Sequence, residues 1–137
     1  FEFLGTKNGV TVADDYAHHP TEITATLQTA KAMEYNRVIA VFQPFTFTRT
    51  ARHLEEFAQA LSIADTAIVS DIMGSREQNT TGVSSQQMVD KMANGVYLGT
   101  FEEIADYLIP RLQQGDLVLT MGGGNVYQCA RMIWARL

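Results

Sequence analysis

The chain has 137 residues, 46% apolar and 18% charged, which makes one domain with enough apolar content for a real core. A formal net charge of -5 and a pI near 5.0, with ten Lys and Arg scattered along the chain, exclude a general nucleic-acid-binding or anionic-membrane surface. A single cysteine, Cys129, excludes an intrachain disulfide and a cysteine-built metal centre, and fits a reducing, cytoplasmic setting.

Phe1-Glu2-Phe3-Leu4 reads as a strand at once, with no basic-then-apolar leader before it and no run of about 18 apolar residues after it. The expectation is a soluble domain, residues 1–137, cut from a longer protein without secretion signal or membrane span. Lys7-Asn8-Gly9 separates that strand from Val10 to Ala13, and Asn-Gly between two short strands predicts an antiparallel hairpin. Pro20 opens a helix running to Tyr35, with Thr21 or His19 at its N-cap, Glu22 in its first turn, and Ile23, Leu27, Ala30 and Met33 at helical spacing.

Val38 to Phe42 is a continuous apolar run of the kind buried on both faces of a parallel sheet, stopped by Gln43-Pro44. A helix is expected from Arg52 to Ser62, with Leu54, Phe57, Ala58 and Leu61 on one side. Then come a strand over Thr66 to Ile72, a polar loop from Gly74 to Gly82, a helix over Ser84 to Met92 and a strand over Val96 to Leu98. A helix over Phe101 to Gln114, a strand over Leu117 to Thr120 and a helix over Val126 to Leu137, in which Cys129 packs as a small apolar residue, complete the chain. This alternation predicts an α/β fold: a Rossmann-like three-layer domain with a mostly parallel sheet and an N-terminal antiparallel hairpin.

Ligands of open α/β sheets gather at the carboxyl ends of the strands, and four polar segments stand at strand exits here: Asp14 to Pro20, Gln43 to Thr50, Asp71 to Gly82, and Gly122 to Asn125. Asp14 and Asp15 point to opposite sides if the strand persists, so one of them faces ligand, where a carboxylate grips ribose hydroxyls or orients a metal-bound phosphate. The competing reading is a polar turn that caps the next helix. His18 and His19 are adjacent without a third ligand at suitable spacing, so no metal site is expected. Arg49, in a threonine-rich loop before a helix, is a candidate anion clamp, or else a surface arginine. Gly122-Gly123-Gly124 reads either as a phosphate cradle, without the lysine of a Walker A loop, or as a tight turn where side chains would collide. Arg76 and Glu77 read as a solvated pair, on a loop whose flanking glycines allow a movable lid.

Together, Asp14-Asp15-Tyr16-Ala17-His18-His19-Pro20-Thr21-Glu22, Gln43-Pro44-x-Thr46-Phe47-Thr48-Arg49-Thr50, Asp71-Ile72-Met73-Gly74-Ser75-Arg76-Glu77 and Gly122-Gly123-Gly124-Asn125 resemble the C-terminal domain of the Mur ligases, in order through essentially the whole chain. Within that family they are most similar to the branch that joins L-alanine to UDP-N-acetylmuramate. The murein-peptide recycling branch shares the first run but is not expected to carry the second.

The resemblance implies ATP-dependent amide-bond synthesis in peptidoglycan precursor assembly. ATP phosphorylates the lactyl carboxylate, the amine of L-alanine attacks the acyl phosphate, and ADP and phosphate leave. It also implies that an N-terminal domain holds UDP-N-acetylmuramate, while a central domain supplies the phosphate loop and the ligands of Mg2+. This domain would close over them with Asp15 or Asp14 on the ATP ribose, and with Tyr16 and His18 at the reacting centre, His18 as a catalytic side chain. Arg49 would pair with the amino-acid carboxylate, and Gly123 and Asn125 would shape its pocket. Phe45 stands where many relatives have His, which removes a polar contact there. The alternatives are a recycling-ligase domain and a nucleotide-binding α/β module without chemistry of its own. A Rossmann oxidoreductase needs a fuller glycine fingerprint with an acidic residue about 20 positions on, and the glycines lie too near the end for that.

Overall fold

A computed structural model describes residues 1–137. Strand β1 (Glu2–Lys7) and strand β2 (Val10–Asp15) form the hairpin, and its turn places Asn8 and Gly9 at φ of 53° and 78°. Two successive positive φ values are what a two-residue turn between right-twisted strands demands, and Asn-Gly supplies them with little strain. A bulge at Gly5 lets β1 lie against Trp134, where an added Cβ would stand 2.8 Å from the ring.

The remaining elements are α1 (Pro20–Ala32), β3 (Arg37–Phe42), α2 (Phe47–Arg52), α3 (Leu54–Leu61), β4 (Thr66–Val69), α4 (Ser85–Val89), β5 (Gly95–Tyr97), α5 (Phe101–Leu108), β6 (Asp116–Met121) and α6 (Tyr127–Arg136). The six-stranded sheet has the order β1-β2-β6-β3-β4-β5, antiparallel only at β1–β2. Because crossovers between parallel strands are right-handed, the direction of travel decides the face that each helix covers. The chain moves one way from β2 through β3 and β4 to β5, so α1, α3 and α4 pack on one face; it then doubles back to β6, so α5 packs on the other, where the final helix α6 lies beside it.

Alternate residues of each strand feed the two cores. Val38, Ala40 and Phe42 of β3 meet Leu27 of α1 and Phe57 of α3, while Ile39 and Val41 join Ile104 of α5 and Ile133 of α6. Phe42 and Phe57 are fully buried with ring centroids 5.2 Å apart, and burial of each such ring stabilises by about 1.5–3 kcal/mol. At the amino ends of the strands, Asp116 is buried and accepts from Arg37 Nε at 2.8 Å, from Nη2 at 2.5 Å and from the Gln113 N–H at 2.7 Å.

Several boundaries differ from the sequence-based expectation, for local reasons. Helix α1 stops at Ala32 instead of Tyr35, and Glu34 turns the chain at φ 65°. Its N-cap is His19, and the Glu22 carboxylate accepts from the His18 and His19 N–H groups. The helix expected from Arg52 is two helices meeting at His53, and the first begins at Phe47 because Thr46 caps it by accepting from the Arg49 N–H. Arg49 is therefore helical instead of lying in a loop. Strand β4 ends at Val69 instead of Ile72, and α4 spans Ser85–Val89 instead of reaching Met92. Helix α5 ends at Leu108 instead of Gln114, since Pro110 has no N–H to continue it.

Candidate functional site

The strand ends are level. Asp15 and Phe42 both pair with Met121, Phe42 pairs with Val69, and Val69 with Tyr97. All four polar segments thus leave the sheet along one rim. The helix after β6 lies on the opposite face from the helices after its neighbours β2 and β3, so the rim opens a crevice on each side of β6.

At the β2 exit, Asp14 is half-buried and accepts a 2.6 Å hydrogen bond from the Thr120 hydroxyl of β6. Burial raises its pKa above the usual 3.8, with the Thr120 hydrogen bond opposing. Asp15 accepts from the Ala17 N–H at 2.9 Å and so turns the chain toward the helix. Tyr16 is 70% exposed. The His18 ring meets the Tyr16 ring edge-on at a centroid distance of 5.0 Å, and its Nδ1 lies 2.9 Å from the Tyr16 carbonyl. A carbonyl only accepts, so this contact places the imidazole proton on Nδ1 and leaves Nε2 as the acceptor. The backbone of Gly123 comes up against this ring: a Cβ there would stand 3.3 Å from His18 Cγ.

The glycine turn is held from the other side by β3. The Asn125 N–H donates to Gln43 Oε1 at 3.0 Å, and Gln43 Nε2 donates to Asn125 Oδ1 at 2.8 Å. A Cβ on Gly122 would stand 2.9 Å from the Gln43 carbonyl oxygen, and one on Gly124 would stand 2.7 Å from Gln43 Oε1 and 2.5 Å from Met73 Sδ. Close approach therefore explains these glycines, the second of the two readings of the triplet.

The β4 exit docks beside the β3 exit through Met73 N–H to Pro44 O and Gly74 N–H to Phe45 O, both 2.9 Å. Glu77 does not form the expected solvated pair with Arg76. Its carboxylate accepts from the Phe47 and Thr48 N–H groups at 2.8 and 3.1 Å and from the Thr48 hydroxyl at 2.8 Å, and these bonds, the Thr48 hydroxyl first, lower its pKa. Arg49, third in α2 and partly exposed, makes no ion pair within the chain.

Between the exits of β3, β4, β5 and β6 lies an open cavity of about 330 Å3, whose polar lining includes Gln43, Ser70, Asp71, Thr100, Glu102 and Asn125. A second of about 350 Å3 adjoins it past Asp71 and Ile72, against Phe47, Val83 and Tyr97. The Tyr97 hydroxyl donates to Asp71, and this hydrogen bond raises the Tyr97 pKa. No group of three or more His, Cys, Asp or Glu side chains is placed to hold a metal ion.

The structure thus brings together Asp14, Asp15, His18, Gly123 and Asn125 around β6, and sets Arg49 apart on α2. Gln43, Thr120 and Asp71 acquire partners that sequence reasoning did not assign. Gln43 and Asp71 head two of the polar segments named from the sequence, while nothing local singled out Thr120.

An open sheet with polar exits converging on both sides of its central strand defines a ligand-binding domain of the doubly wound α/β class. Residues 1–124 match the family described as Mur ligase, glutamate ligase domain. The chain belongs to this family, as its motifs led one to expect. It is 47% identical over 132 residues to a UDP-N-acetylmuramate–L-alanine ligase of Agathobacter rectalis, covering 93% of this chain and 29% of that protein. A second ligase with the same description, from Caldicellulosiruptor saccharolyticus, is 46% identical over 136 residues, covering 96% of this chain and 30% of the relative. The chain therefore spans less than a third of the length of these curated relatives. Among solved structures, UDP-N-acetylmuramate-alanine ligase from Thermotoga maritima superposes with a TM-score of 0.73 at 25% identity, covering 94% of this chain and 27% of that one.

Proposed function

We propose that this chain is the C-terminal domain of a cytoplasmic, ATP-dependent ligase that joins L-alanine to UDP-N-acetylmuramate through an acyl phosphate. The observation that carries the reading is the 47% identity with a ligase of that description, spread over 132 residues that include all four rim segments. The same segments hold the groups such a reaction needs: an anion partner, a proton acceptor and a backbone turn stripped of side chains.

In this reading the domain supplies one wall of the active site and closes over a central domain of the parent, which holds Mg2+ and the ATP phosphates, while the N-terminal domain holds UDP-N-acetylmuramate. Magnesium supplies charge neutralisation of the phosphates. Asp15 or Asp14 accepts from the ATP ribose hydroxyls. Each carboxylate has a partner within the chain, Asp14 the Thr120 hydroxyl and Asp15 the Ala17 N–H. His18 accepts a proton at Nε2 from the attacking ammonium or a group that relays it, its ring fixed by the Tyr16 carbonyl. Arg49, lacking a partner in its own chain, pairs with the L-alanine carboxylate, and Gly123 and Asn125 border the amino-acid pocket. Closure aligns amine and acyl phosphate and keeps water from the latter; ideal positioning contributes roughly 7–11 kcal/mol.

The test is phosphate release by the full-length parent with ATP, Mg2+ and UDP-N-acetylmuramate, adding amino acids singly. Release that requires both the sugar nucleotide and L-alanine is the expected outcome. Release with a tripeptide and none with L-alanine transfers the domain to the recycling ligases, and no release with either leaves a nucleotide-binding module.

A further inference from the structure

We infer that Gln43 is a positioning residue whose side chain fixes the amide of Asn125 so that Asn125 Nδ2 is offered, as a hydrogen-bond donor, to a negatively charged oxygen of a ligand in the rim cavity. The inference rests on the ligase reading for the identity of that ligand, but its geometry stands on the chain alone.

The orientation follows step by step from one unambiguous donor. A backbone N–H only donates, so the atom of Gln43 lying 3.0 Å from the Asn125 nitrogen is Oε1. The other end of the same amide is then Nε2, which only donates, and the Asn125 atom 2.8 Å from it is Oδ1. What is left of the Asn125 side chain is Nδ2, with two protons and no acceptor within the protein. Gln43 is 6% exposed, wedged between the β3 exit and the glycine turn, so its amide cannot rotate freely. Asn125 and Gln43 both line the 330 Å3 cavity, and Asn125 is exposed at its mouth. A donor held with its partner atom already satisfied is ready to donate to a ligand oxygen without reorganisation.

The ligand chemistry is a carboxylate or phosphoryl oxygen. In the proposed reaction it comes from one of two sources, the carboxylate of the amino acid or a phosphoryl oxygen of the nucleotide, and steady-state kinetics with each substrate varied in turn separates them.

Two uncharged substitutions in the full-length protein test the assignment. Asn125→Ala removes Nδ2 but keeps the backbone N–H on Gln43; Gln43→Met keeps Nδ2 but frees it. Each is expected to raise the same one KM about tenfold, the size of a lost hydrogen bond to a charged group, with kcat within about threefold of the parent value. The double variant should be no worse than the worse single one, because both remove one interaction. A rise in the KM for L-alanine identifies the carboxylate, and one in the KM for ATP identifies the phosphoryl oxygen. Unchanged KM values in Asn125→Ala, an effect in Asn125→Ala without one in Gln43→Met, or multiplicative effects in the double variant each overturn the proposal. Should the parent protein show no turnover, the ligase reading fails by itself, and calorimetric titration of L-alanine and of ADP into parent and Gln43→Met then decides: equal affinities overturn the role of Gln43, and weakened binding of one ligand supports it.

Discussion

Asp14 and Thr120 are register partners on the parallel strands β2 and β6, and the Thr120 hydroxyl donates to the Asp14 carboxylate at 2.6 Å. The bond crosses the crevice between the two strands that carry most of the rim chemistry. The Asp14 carboxylate is half-buried and its pKa is raised, mainly by burial, with the Thr120 hydrogen bond opposing the rise.

That shift has a definite sign in stability. A carboxyl whose folded pKa lies above its unfolded value of 3.8 contributes stability that is fully present below 3.8 and is lost as pH rises through the folded value. Asp14→Asn keeps an acceptor for Thr120 and removes the charge. The variant should unfold at higher urea than the parent at neutral pH, and this advantage should shrink as pH falls toward 3.8. A gap that stays constant with pH assigns the raised pKa no thermodynamic weight.

Arg37 is the principal cation partner of the buried Asp116, far from the rim at the opposite ends of the strands. Arg37→Ala leaves that carboxylate with one backbone donor. The loss should be about 3 kcal/mol in urea unfolding, the low end for breaking a buried pair because Arg37 itself keeps some solvent contact. Under the proposed ligase reading, the substrate KM values of the full-length parent should not move.

Glu77 holds the first turn of α2, and its lowered pKa reports this. A depressed carboxylate contributes stability above its unfolded value of 4.5 and loses it as pH falls through the folded value. Amide exchange followed by NMR should show Phe47 and Thr48 protected at neutral pH, less protected in acid, and less protected at both in Glu77→Ala. Unaltered protection in Glu77→Ala removes the capping role.

Under the proposed ligase reading, Arg49→Ala in the full-length parent should raise the KM for L-alanine about ten- to hundredfold, the loss of a charge-assisted pair of about 1.5–3 kcal/mol, with a smaller effect on kcat. An unchanged amino-acid KM takes Arg49 out of that role.

Most of the architecture was legible in the sequence because its signals are local: Asn8-Gly9 for the hairpin, Val38 to Phe42 for a doubly buried strand, Pro20 for the start of α1. The convergence of the four polar segments was legible too, since it follows from the parallel topology. What escaped were partners distant in sequence. Nothing local ties Gln43 to Asn125 or Asp14 to Thr120, separations of 82 and 106 residues. Helix α2 escaped because its Phe and Thr residues favour strand or loop, and the Thr46 cap with Glu77 overrides that preference.

The place of β6 in the sheet also sets when the domain can form. It is the last of the six strands in chain order, yet it lies between β2 and β3 and hydrogen-bonds to both. Without residues 116–121 the hairpin and the β3-β4-β5 ribbon have no strand to join them into one sheet, and each keeps an open edge. Such long-range closure makes folding slow relative to chains with local pairing, and leaves both edges for chaperones or for aggregation in the interval.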